Sequence, residues 1–166
     1  SQVLGPMLER ELAADTAEFD APFNPAQMGF GRVQEQTLTF WDQQRDRLIP
    51  VDIYWNDPNP NLDGYDLTPL DPGPLVIISH GFGADRGFLR YLARHLASHG
   101  LTVAALEHPG SNVNWLSRAS VSGNPGDLMS PLEFIDRPKD ISFLLDELAL
   151  LNEQPGKWQG EFNTTT

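Results

Sequence analysis

The stretch Leu75-Val76-Ile77-Ile78-Ser79-His80-Gly81-Phe82-Gly83 decides the architecture. Four apolar residues in a row read as a strand buried on both faces, not as the in-out alternation of a half-wet strand. Two glycines flank Phe82 and free the backbone for a tight turn. The periodicity then becomes helical from about Arg86 to His99. Phe88, Leu89, Leu92, Ala93 and Leu96 form its apolar stripe, with Arg86, Arg90 and Arg94 on the wet side. Asp85 stands where an N-cap belongs and Gly100 where the helix must stop. Thr102-Val103-Ala104-Ala105-Leu106 is a second buried strand. Strand, helix and strand within ~30 residues predict a right-handed βαβ unit with a parallel sheet.

Upstream of this unit, Thr37-Leu38-Thr39-Phe40 and then Ile49, Val51, Ile53 and Trp55 alternate at period two around the polar Asp42–Asp46 turn. That pattern predicts an antiparallel hairpin. Asn56 to Pro74, rich in Pro, Gly, Asp and Asn, reads as a loop. Residues 1–31 read as an acidic arm with room for a short helix over Pro6–Ala14, and residues 32–166 as the folded part. Downstream, Glu107 to Ser130 shows no regular pattern and is long enough to imply a functional loop. Pro138 at a first helical position and Asp140 in the first turn open a second major helix. Ile141, Leu144, Leu145, Leu148 and Leu151 give its buried stripe, and Pro155-Gly156 stops it. Lys157 to Thr166 is polar and irregular, so no further strand pattern appears to cover the edge of Leu75–Ser79.

The 166 residues include 11 basic and 23 acidic side chains, a net charge of −12. Residues 1–74 hold 13 of the acids and 4 of the bases. Such a balance opposes binding through phosphate contacts, so nucleic acid and anionic membrane surfaces are excluded as partners. No apolar run approaches the ~18 residues of a membrane span. With no cysteine, thiolate nucleophiles and Cys-type metal sites are excluded. The compartment stays open, since a Cys-free chain suits the cytoplasm, the periplasm or secretion.

Two chemistries compete for the turn after the first buried strand. Gly81-x-Gly83, with Glu107 about 20 residues on at the end of the next strand, resembles a dinucleotide-binding βαβ unit. Against it, Arg86 occupies the third glycine position and Asp85 puts a carboxylate where a pyrophosphate must sit. The other chemistry is an oxyanion hole, with the Phe82 backbone N–H aimed at a carbonyl oxygen gaining charge and His80, Gly81 and Gly83 supporting the turn. A self-contained triad is not expected. Ser79 and His80 are adjacent on a strand and point to opposite faces, and Ser111 beside His108 has no strained elbow before it. His95 and His99 form a helix-surface pair with no following Glu to suggest zinc. Asp136, Arg137 and Asp140 read as capping and ion-pair residues. His108 and Trp115 are candidates for a substrate pocket.

The order of these motifs carries a resemblance. Ile77 to Gly83, Leu92 to Gly110, Phe134 to Leu148 and the hairpin with Leu48-Ile49-Pro50-Val51 together resemble bacterial α/β-hydrolases of the predicted dienelactone hydrolase and platelet-activating-factor acetylhydrolase group, over about Phe30 to Trp158. The resemblance implies the N-terminal portion of an α/β-hydrolase fold: a three-layer sandwich, incomplete after the second major helix. It implies a serine-type carboxylic ester hydrolase active in lipid degradation, with Phe82 N–H in the oxyanion hole and no metal or organic cofactor. Its substrate would be a small-molecule or lipid ester. The family's Gly-x-Ser-x-Gly nucleophile, acid and base come later in the chain and are absent from these residues. The segment is therefore expected to be inactive alone, and to seek its C-terminal half or a second copy through the Leu75–Ser79 edge. A non-catalytic binding module on a truncated hydrolase fold is the alternative function, and the dinucleotide unit a second.

Overall fold

The computed structural model describes residues 26–29, 31–57, 73–122 and 131–163. The proposed Pro6–Ala14 helix lies outside them. Period-two residues form the hairpin β1 (Arg32–Asp42) and β2 (Arg47–Asp57), antiparallel with Leu38 opposite Val51. The crossover unit follows as β3 (Leu75–Ser79), α1 (Arg90–Ser98) and β4 (Thr102–Leu106). β3 and β4 run parallel, with Ile77 beside Ala104 and Ser79 beside Leu106. Helices α2 (Val113–Ser122) and α3 (Glu133–Glu153) complete the order.

The sheet order is β1-β2-β4-β3, with β4 antiparallel to β2. Two cores lie on its opposite faces. Ile49, Val51, Ile53, Ala104 and Leu106 pack on Leu144 and Leu148 of α3. Tyr54, Ile78, Val103 and Ala105 pack on Ala93 and Ala97 of α1. Because strand side chains alternate, one hairpin and one crossover supply both faces, and the result is a helix–sheet–helix layering.

Several local expectations need correction. β4 is fully buried, but β3 is only half-buried over Leu75–Ile77, because it is an edge strand. On its outer side, among the described residues, Pro74 alone meets a neighbour, through a parallel bridge to Asn163. The first helix starts at Arg90 and not Arg86. Asp85 Oδ1 accepts the Gly87 N–H at 2.8 Å and closes a turn, leaving Phe88 65% exposed. Arg86 is not on a wet face, since it pairs with Asp52 and Glu107. The stretch after Glu107 contains α2, started by Asn112 Oδ1 accepting the Trp115 N–H at 2.8 Å.

The last helix begins at Glu133, so Pro138 lies inside it, not at its first position. Leu145 leaves its buried stripe at 41% exposed. The irregular segment beyond it is not simply polar. Trp158 and Phe162 stack at 5.5 Å and enter the core, and Lys157 Nζ sits 4.5 Å over Trp55 and 4.6 Å over Trp158.

Burial separates neighbours on α3. Leu148→Ala is expected to cost about 2–5 kcal/mol through lost transfer energy and a cavity. Leu145→Ala is expected to cost under about 1 kcal/mol. Urea unfolding midpoints at constant slope measure both.

Candidate active site

The C-terminal ends of β3 and β4 approach the first half of α3 and the hairpin tip, and polar residues converge there. At the centre is Asp140, fully buried on α3. Its Oδ1 accepts from Arg45 Nη1 at 2.7 Å and Arg47 Nε at 3.1 Å, and its Oδ2 from Arg47 Nη2 at 2.9 Å. Oδ2 also lies 2.9 Å from His108 Nδ1. Burial pushes this carboxyl up, but the His108 and Arg47 hydrogen bonds and the arginine charges outweigh it, and it is held below the usual range. Glu133, at the start of the same helix, binds Arg47 Nη1 at 3.0 Å. A Cβ on Gly110 would stand 1.8 Å from Glu133 Oε1, so a larger residue here would push the carboxylate from its place beside Arg47.

These contacts set the imidazole protons. An ionised Asp140 only accepts, so His108 Nδ1 carries the hydrogen and Nε2 is the acceptor. Ser79 Oγ, 2.9 Å from that nitrogen, therefore donates to it. The structure thus joins Ser79, His108 and Asp140 in the order hydroxyl, base, acid. Sequence reasoning tested Ser79 only against its neighbour His80 and missed a partner 29 residues on. The parallel register places Ser79 beside Leu106, two residues before His108, and that pairing was the available signal.

His80 serves the turn. Its Nε2 accepts the His108 backbone N–H at 3.0 Å, so the hydrogen lies on Nδ1, which donates to the Gly81 carbonyl at 2.7 Å. Accepting the His108 N–H needs a neutral ring, and burial lowers the pKa of His80 against the opposing pull of the Gly81 carbonyl. Arg137 grips the same turn from α3, donating to the His80 carbonyl, to Ser111 Oγ at 2.8 Å and to Ser79 Oγ at 3.3 Å. Gly83 has φ +75°, and its N–H is bound to the Ser111 carbonyl at 2.8 Å; the Ala84 N–H is bound to Gly81 O at 3.1 Å. Just before them, the Phe82 N–H has no acceptor among the described residues. The exposed Phe82 ring meets half-buried Trp115 edge-on at 5.5 Å.

His108 has no exposed surface, so it is a buried link and not a wall of a substrate pocket. Glu107, the acid a dinucleotide would need, is buried and already accepts from Arg86 N at 3.1 Å and Asn112 Nδ2 at 2.8 Å. His95 on α1 and His99 at its C-cap form a ring pair.

Because its pKa is lowered on folding, Asp140 contributes stability that is present above the unfolded carboxyl value near 3.9 and lost as pH falls through the folded value. Asp140→Asn is expected to destabilise the fold by about 3–5 kcal/mol at neutral pH, by uncoupling buried charges. It is also expected to flatten the loss of stability between pH 5 and 3, measured by urea midpoints against pH. Asp42, pushed up by burial but held lower by Arg45, keeps part of the acid dependence.

The family model for platelet-activating factor acetylhydrolase, isoform II, matches residues 42–117. A curated relative, the platelet-activating factor acetylhydrolase of Cavia porcellus, is 40% identical over 60 residues, covering 36% of this chain and 12% of that protein. The chain thus spans a small part of this relative's length. Ferulic acid esterase from Streptomyces cinnamoneus superposes with a TM-score of 0.49 at 23% identity, over 82% of this chain and 49% of that one. S-formylglutathione hydrolase from Staphylococcus aureus gives 0.42 at 12%, over 73% and 44%. The mammalian relative removes any reason to confine the resemblance to bacteria. From the hairpin tip through the His-Gly turn to α2, the chain is similar to the platelet-activating-factor-acetylhydrolase-like group of α/β-hydrolases.

Proposed function

We propose that the chain is part of a serine-type carboxylic ester hydrolase, to which it supplies the oxyanion turn and part of the acyl pocket. The observation that carries this reading is the Phe82 N–H. It stands just past the C-terminal end of a sheet strand, without an acceptor among the described residues, and the two amides that follow it are both bound. A donor fixed before the reaction stabilises a tetrahedral oxyanion without having to reorganise. His80, Gly81, Gly83 and Arg137 hold it still, and Phe82 with Trp115 offers an apolar surface beside it.

In this reading the nucleophile lies beyond residue 166, on a strand that follows α3, and its acid and base come later still. The parallel Pro74–Asn163 bridge supports that placement, because it starts a neighbour for β3 on its open side. The downstream serine attacks the ester carbonyl, the acyl-enzyme forms, and water releases it. The substrate class is a small-molecule or lipid ester.

Phe82→Pro deletes the N–H. In the chain extended to include the downstream serine, it is expected to lower kcat by about 10²–10³ with KM little changed. Equal loss in KM alone would contradict the oxyanion role. Residues 1–166 alone are expected to show no steady-state turnover of p-nitrophenyl acetate. They are also expected to associate in a concentration-dependent way in sedimentation velocity, through the half-buried β3 edge. A monodisperse monomer would contradict this use of the edge.

A further inference from the structure

We propose that Ser79 is itself a reactive serine, one that takes an acyl or phosphonyl group from activated donors through the Ser79–His108–Asp140 relay. This stands apart from the reading above, since Ser79 lies on β3 and not on a later strand.

The geometry meets each requirement of an activated nucleophile. Oγ is 2.9 Å from His108 Nε2, the acceptor nitrogen of the neutral ring, and the other nitrogen is held at 2.9 Å by a buried carboxylate. The carboxylate cannot turn away, because Arg45 and Arg47 fix both its oxygens. Ser79 is exposed, whereas His108 behind it is fully buried, so a reagent reaches the hydroxyl and not the base. Arg137 Nη2, 3.3 Å from Oγ, places positive charge where the attacked centre gains negative charge. The strand pairing of Ser79 with Leu106 keeps the nucleophile in register with its base.

With a fluorophosphonate, the Ser79 Oγ–P bond forms as the P–F bond breaks. Fluoride leaves with the bonding pair, and the hydroxyl proton passes to His108 Nε2 while Nδ1–H stays on Asp140. Fluoride needs no proton to depart, which suits a base with no path to the leaving group. The same burial leaves His108 unable to activate a water, so one adduct forms per chain and persists. That separates this chemistry from the steady-state turnover assigned to the downstream serine.

Fluorophosphonate labelling of the 166-residue chain, mapped by peptide mass spectrometry, tests it. The expected result is one adduct on Ser79, absent after unfolding in urea and slowed at least about 100-fold in His108→Gln. A second check uses the absence of cysteine and avoids any change at His108. Ser79→Cys creates the chain's sole thiol, and its alkylation by iodoacetamide is expected to be at least about tenfold faster than that of free cysteine at the same pH, because thiolate is the reactive form. No adduct at Ser79, an adduct whose rate ignores His108, or a thiol no faster than free cysteine would overturn the proposal. Each result is independent of whether a downstream serine hydrolyses esters.

Discussion

One buried carboxylate organises this end of the molecule. Asp140 sits in α3 with no solvent contact, and an ionised carboxylate there is tolerable only if its lone pairs are filled. Arg45 and Arg47 come from the hairpin, and His108 from just past β4. Two chain segments far apart in sequence are therefore fixed to one helix. Removing any one partner leaves charge buried without compensation, which is why the knot acts as a unit and not as a sum of surface ion pairs.

The turn after β3 inherits its geometry from that knot. Asp140 sets the His108 ring, the His108 backbone sets His80, and His80 with Arg137 sets the peptide planes before Phe82. Gly83 completes the bend in the left-handed region, where a Cβ would also stand 2.7 Å from Leu116. An unoccupied amide is costly in a core and useful at a strand end facing a carbonyl. The Gly83 and Ala84 amides that follow are bound, and the Phe82 amide has no acceptor among the described residues.

Much of this was legible in the residues because it rests on local periodicity. The alternation of Ile49, Val51 and Ile53 and the block Thr102–Leu106 mark the hairpin and the inner strand correctly. The errors arise where tertiary contacts override local signals. Pro138 reads as a helix start, yet Glu133 meeting Arg47 of the hairpin accompanies a helix that begins a turn and a half earlier. Asp85 reads as an N-cap but closes its own turn. Leu75–Ile78 reads as doubly buried because composition does not tell an edge strand from a central one. At the site, His80 and the glycines were found from a contiguous motif. The link from Ser79 to His108 required the strand register, and that from His108 to Asp140 required the docking of α3. Neither is visible in spacing alone.

The central claim is that an ionised Asp140 fixes the proton on His108. Nitrogen-15 NMR of the imidazole reads this directly. At neutral pH the account predicts a protonated Nδ1 with a resolved one-bond N–H coupling and an unprotonated Nε2, as Ser79 and Asp140 require. An Nε2–H tautomer, or two nitrogens averaged by fast exchange, would contradict it.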